Sequence, residues 1–220
     1  MVDAPQQEAF RAALGTEHSV LQAGANATIS EAGTRATLYM LSLSSSLVAM
    51  GFAAQSREIF VPFVATVLPA VVLLGLFTQV RLVDAAMEYN HFLTGIARIR
   101  RYYRTLTPEA ADYFAAERGR WPETQVTPAL RLGSFIAFIT TVASLVAVIN
   151  SIVAGAGVAL LAGHRLGAAR LEQALGLGVG VTVALMAAFF IYQRWRFSLS
   201  LGADSDAAQA DGSQPDRRGR

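Results

Sequence analysis

The chain has 220 residues, of which 53% are hydrophobic and 15% charged, with a formal net charge of +2. A soluble domain carries about a quarter charged residues, so a large water-soluble enzyme domain is excluded and one membrane domain with short appendages fits this length. Cysteine is absent, which removes disulfides and thiolate metal sites, and all 18 basic residues are Arg, a bias typical of high-GC bacterial genomes.

In chain order, residues 1–36 are polar to amphipathic and contain no apolar segment of signal-peptide type. Ala4–Leu14 predicts a short helix, and Ser30 followed by Glu31 predicts a cap that starts a second one. Four apolar runs follow: Thr37–Ala54, Ile59–Val80, Gly133–Gly163 and Ala174–Tyr192. At ~1.5 Å per residue each is about long enough to cross a ~30 Å hydrocarbon layer. The expected fold is therefore an all-α integral membrane protein. Its transmembrane hairpins occupy 37–80 and 133–198, its cytosolic regions 1–36 and 81–132, and a disordered tail 199–220.

Span two carries Pro62, placed in its first turn, and Pro69, placed in its interior where it should kink the helix. Beyond it, Leu82, Ala85, Tyr89, Phe92, Ile96, Ile99, Tyr103 and Leu106 recur at 3-4 spacing. This heptad-like stripe continues span two into the cytosol for ~37 Å and packs either within the subunit or as a seam between subunits. Thr107-Pro108-Glu109 predicts the start of a short helix through Ala116. Gly119-Arg120-Trp121-Pro122 breaks it, and Thr127-Pro128 launches span three.

Arg residues set the orientation. The connection between spans two and three is rich in them, while the other two connections carry only Arg57, Arg165 and Arg170. Basic residues near span ends stay inside, which places both termini in the cytoplasm of a bacterial inner membrane. The aromatic residues Phe189, Phe190, Tyr192, Trp195 and Phe197 mark the inner interface of span four.

Small residues four apart predict how the second hairpin packs: Ala143, Ala147, Ser151, Gly155, Ala159 and Gly163 on span three against Gly176, Gly180, Ala184 and Ala188 on span four. No Asp, Glu, Lys, Arg or His lies inside a span, which argues against a proton-coupled carrier. The most polar group within the spans is Asn150 with Thr140, Thr141, Ser144 and Ser151, joined by the span-one serines Ser42, Ser44, Ser45 and Ser46; Ser42, Ser45, Ser46, Thr141 and Asn150 are the candidates taken forward. They either line a narrow aqueous path or bond to their own and neighbouring helices. Glu88-x-x-His91, with Asp84 a turn earlier, has the spacing of a metal pair but no second pair to complete it, so a solvated face is expected and no metal or cofactor is implied. Gly176-x-Gly-x-Gly180 has no preceding strand and is not a dinucleotide fingerprint. No nucleophile–base pair is evident, so no catalytic residue is assigned.

Arg98, Arg100, Arg101 and Arg104 lie off the apolar stripe of the cytosolic helix. They are candidates for phosphate or anionic headgroup contact, or act only as topology determinants. The stretch Ala27–Tyr39, running into a Ser-rich span, with a tight outer turn and a long cytosolic helix, resembles the transmembrane effectors of bacterial anti-phage cyclic-nucleotide systems, including the pyrimidine cyclase (Pycsar-type) ones. The resemblance covers about residues 17–106. It implies a membrane protein that is triggered by a cyclic nucleotide and then impairs the bilayer; separately, a homo-oligomer is expected and a nucleic acid polymer is not expected as a partner. A membrane adaptor for a soluble partner and a small constitutive channel are the alternatives.

Overall fold

A computed structural model describes residues 4–114 and 141–212. Among these the chain is helical without strands: α1 (Ala4–Ala53), α2 (Arg57–Arg104), α3 (Ala110–Tyr113), α4 (Val142–Leu166) and α5 (Leu171–Gly212). Four of them are long and apolar enough to cross a membrane. Their outer surfaces are apolar too, with Leu41, Phe52, Phe77, Leu145, Val183 and Ile191 all exposed. Water would penalise so many exposed large side chains, whereas a hydrocarbon solvent does not.

The first two helices are much longer than a membrane span. α1 has 50 residues and α2 has 48, about 75 Å and 72 Å of helix. Neither of the sequence signals for a break in α1 acts as one. Ser30 sits mid-helix, where its carbonyl takes the Thr34 hydroxyl at 2.9 Å. The Glu31 carboxylate is drawn sideways to Arg35 at 2.8 Å and Arg81 at 3.1 Å rather than back to a helix start. With no Gly-Pro pair between Ala4 and Ala53, the helix has nothing to stop it.

After the turn at Ala54–Ser56, α2 returns antiparallel to α1. Both helices turn inward buried or half-buried residues at steps of three and four: Leu21, Ala25, Thr28, Ala32, Ala36, Tyr39 and Leu43 on α1; Val64, Leu68, Val71, Gly75, Thr78 and Leu82, and again Ile96 and Ile99, on α2. This is the repeat of a coiled-coil seam. Gly24 accepts the Phe92 ring so closely that a Cβ there would lie 2.7 Å from it, and Gly95 accepts Leu21 in the same way at 3.0 Å. The stripe on 82–106 is thus covered by α1 of the same chain, and only its last member, Leu106, is exposed. Helix α2 begins at Arg57, so Pro62 falls in the second turn rather than the first.

Helix α4 wedges between this rod and α5. One face of it meets α2, where Gly157 sits against Leu68. Another face, through Gly155, Ala159 and Gly163, meets α5. A Cβ on Gly155 would fall on the Thr182 hydroxyl and the Gly178 carbonyl, and one on Gly178 would lie 2.8 Å from Ala159. The small-residue strip of span three therefore does face α5, with Ala143, Ala147, Ser151 and Gly155 all buried.

The strip expected on span four does not. Gly176, Gly180, Ala184 and Ala188 are exposed, and a Cβ on Gly176 or Gly180 meets nothing within 4 Å. The contact residues are Ala174, Gly178 and Thr182, offset by two positions, about 160° around the helix. Two interleaved small-residue rows exist on α5, and spacing alone does not choose between them. The turn chooses: Gly167, with φ 78°, donates its N–H to the Gly163 carbonyl and ends α4, and the 3-10 turn Ala168–Arg170 then fixes the rotation at which α5 starts.

Two further expectations change. Helix α5 runs on to Gly212 instead of giving way to disorder at residue 199; Ala203, Ala207, Ala208 and Ala210 favour helix and no Pro intervenes. The described part of span three starts at Val142, capped by Thr141. Its expected beginning at Gly133, and the expected break and start at 119–128, lie outside the described residues. Thr107 behaves as a start signal, its hydroxyl accepting from the Ala110 N–H at 3.2 Å, but α3 closes at Tyr113 rather than Ala116.

Gly155→Leu and Gly180→Leu separate the two rows on α4 and α5. Overpacking at Gly155 should cost about 1–3 kcal/mol and lower the detergent melting temperature, whereas Gly180→Leu should leave it within experimental error. Equal melting of the two variants would contradict this packing.

Candidate functional site: a basic aromatic head and the polar joints beneath it

The four Arg side chains singled out in the sequence lie at the far end of the α1–α2 rod. Arg98 and Arg101 are exposed, Arg100 and Arg104 half-buried. Helix α3 folds back against this end, which brings Phe114 to 5.4 Å from the Tyr103 ring. Tyr102 stands next to Tyr103 and meets Phe10 of α1 edge-on at 5.5 Å. The Arg100 guanidinium lies over the Phe114 ring, 5.9 Å from its centre. Four aromatic rings and a group of guanidinium ions therefore share one head. Such a set can stack on a planar base and pair with a phosphate. The sequence signalled the arginines, but Phe10 and Phe114 were beyond it, since they reach the site only through the antiparallel return of α2 and the fold-back of α3.

Two sets of polar contacts join the rod to the second hairpin. The deeper one is built on Asn150 of α4, which is 1% exposed. Its Oδ1 accepts the Tyr39 hydroxyl at 3.3 Å and its Nδ2 donates to the Val72 carbonyl at 3.2 Å. Gly75 makes this possible, because a Cβ there would fall on the Asn150 amide. One side chain of α4 thus ties α1 and α2 together. Tyr39, fully buried, and Gly75 were missed in the sequence; Gly75 is the one Gly between Ile59 and Val80, and that is the signal that could have found it.

The other set marks the end of the apolar spans. Ser144 donates to Gln193 Oε1 at 3.3 Å, and Thr141, besides capping α4, receives Gln193 Nε2 at 3.5 Å. One turn on, Arg196 of α5 donates to Asp84 of α2 at 2.6 Å, each side chain about one-third exposed. On the α1 side, Arg35 and then Arg81 hydrogen-bond Glu31 and hold its carboxyl below the ordinary value of 4.5. Glu31, Arg35, Arg81, Asp84 and Arg196 form a charged belt at one level across three helices. Asp84, weighed as part of a metal pair, is committed to Arg196, while Glu88 and His91 are exposed.

The remaining span hydroxyls do not converge. Ser46 bonds back to the Ser42 carbonyl at 2.7 Å and Ser45 is exposed. Asn150 and Thr141 are engaged in the joints just described, about two and a half turns apart on α4. The narrow polar path considered from the sequence is thus replaced by helix-to-helix bonding.

A charged belt at one level, apolar spans on one side of it and a helical rod on the other define a multi-pass α-helical architecture suited to a membrane. No family model, no curated protein and no solved structure matches the chain.

A double-mutant cycle tests the deeper joint. Tyr39→Phe should cost about 0.5–2 kcal/mol in the native background and close to nothing once Asn150 is Leu. Equal costs in both backgrounds would show that the hydroxyl and the amide are not coupled.

Proposed function

We propose that the protein is a non-enzymatic effector of a bacterial inner membrane, in which a phosphate-bearing ligand at the head of the rod changes the packing of the spans and impairs the bilayer. The observation that carries the reading is the continuity of α1 and α2 from that head, through the charged belt, into the apolar region. A helix pair has no joint at which a displacement could be absorbed, so a rotation or shift imposed at the head reaches Tyr39, Val72 and Gly75, the residues that hold Asn150. Polar contacts of this kind are worth about 0.6–2 kcal/mol each in a membrane, within the range that a ligand supplies. The resemblance to the cyclic-nucleotide effectors supplies the ligand class: a cyclic nucleotide offers both a planar base for the aromatic rings and a phosphate for Arg100 and its neighbours.

In this reading the rod and both termini lie in the cytoplasm. Arg35, Arg81, Arg98, Arg100, Arg101, Arg104, Arg194 and Arg196 are all on the rod side, with Arg57, Arg165 and Arg170 on the other. The Cys-free chain makes this simple to test. A single Cys at Ser56 should react with an impermeant thiol reagent in whole cells, and one at Thr107 only after lysis. The reverse result would invert the protein.

The functional test is leakage from liposomes containing the purified protein, measured with and without a panel of cyclic nucleotides. Leakage that appears with one nucleotide and is lost in the Arg100→Gln, Arg104→Gln double variant is the expected result. Leakage without any nucleotide would make it a constitutive channel. No leakage under any condition, with a soluble protein bound to the rod, would make it an adaptor.

A further inference from the structure

We infer that α1 carries, on the side away from α2, a second seam that pairs in parallel with α1 of another copy of this chain. The face steps through Ala13, Val20, Ala27, Thr34, Leu41 and Val48 at intervals of seven, and all six are exposed. The positions three residues further on are Thr, Ala, Ser, Thr, Ser and Gly, also exposed. Together they make a continuous face at a/d spacing, apolar or β-branched at one position and small or hydroxyl-bearing at the other, with no charged member, on a helix whose opposite face already holds α2.

The seam crosses the level of the charged belt, and this identifies the occupant. Below Arg35, Leu41 and Val48 lie in the apolar region, where lipid alone would cover them. Above Glu31, Ala13, Val20 and Ala27 lie where lipid does not reach. A soluble protein can cover the upper part and not the lower. A partner for the whole face needs a helix of about 75 Å that passes unbroken from water into the membrane. The chain itself provides that helix.

The local chemistry agrees with a parallel pair, the arrangement two copies in one bilayer adopt about an axis along its normal. In that register Glu17 and Glu31 fall beside Ala12 and Asn26 of the second copy, so no like charges oppose one another. Val20, Thr34 and Val48 place β-branched side chains at the positions where two-stranded coils prefer them. In the apolar region Thr37, Leu41 and Ser44 border a shallow groove whose other wall is Val142, Leu145 and Val146 of α4, so a second helix laid along the seam finds a concave surface. The stripe on α2 is already occupied by α1, which leaves this face as the one able to join subunits along the whole rod. The inference stands whether the rod serves an effector or an adaptor.

Disulfide trapping in native membranes tests it. Single Cys residues at Val20, Ala27 and Ser44 should each give a cross-linked dimer on mild oxidation, and one at Gln22, about 130° away on the helix, should give little. Cross-linking at Gln22 equal to that at Ala27 would overturn the seam. So would cross-linking at Ser44 without any at Val20 and Ala27, which would mean contact within the lipid alone. As an independent measure, the protein mass of detergent-solubilised V20R/A27R should be half that of the native protein by light scattering. An unchanged circular dichroism spectrum shows that the variant has folded. A folded variant of undiminished mass would also overturn it, and should the variant not fold, the cross-linking pattern decides.

Discussion

Everything in this protein depends on the antiparallel seam between α1 and α2. Its repeat of inward-facing residues runs from the half-buried Leu14 and Tyr103 at the head to the buried Leu43 and Val71 deep in the apolar region, without a break where the surroundings change. A coiled-coil seam needs its repeat kept in phase. That requirement explains the glycines at Gly24 and Gly95, each placed opposite a bulky side chain, and the continuation of α1 through Ser30, where local signals would have allowed a stop.

The second hairpin is attached to this rod by different means. In an apolar solvent there is no hydrophobic gain from bringing two helices together, so close packing and polar contacts carry the association. Both are concentrated on α4. Its glycines let α5 and α2 approach on two faces, and Asn150 binds both helices of the rod at once. The charged belt adds the Asp84–Arg196 pair where a salt bridge is still partly solvated and its desolvation cost is small. Rod and hairpin are therefore each packed extensively within themselves and joined to one another mainly through α4. A long helical rod attached to a bundle through a few polar joints suits the proposed effector function, in which binding at the head would change the packing among the spans.

The outer face of α1 fits the same picture. A parallel pairing of rods would also place two basic heads beside each other, and a multivalent phosphate ligand bound between them would act on both levers.

Much of this was legible in the residues. The four spans, the continuation of span two to Tyr103 and the small-residue face of span three follow from hydropathy and periodicity, which are properties of a single helix and of the solvent around it. The helical N-terminal half of α1 was harder, since Ala, Gly, Ser and Thr give it a weak apolar stripe that gains meaning only opposite Tyr89, Phe92 and Ile96. The Arg cluster could be read as a group, but not its aromatic surroundings.

The residues alone marked the apolar segments, their helical character and where their charges stop, though not the full length of α1 and α5, because backbone hydrogen bonding and solvent transfer act locally. Which of several equivalent faces meets which neighbour emerged only from the packed helices. Gly178 rather than Gly180 contacts α4, α1 rather than another subunit covers the stripe at 82–106, and Asn150 faces Gly75 and Tyr39 rather than water. Those choices follow from turn geometry and from the simultaneous packing of three helices, and a rotation of ~100° per residue leaves such faces indistinguishable until the partners are in place.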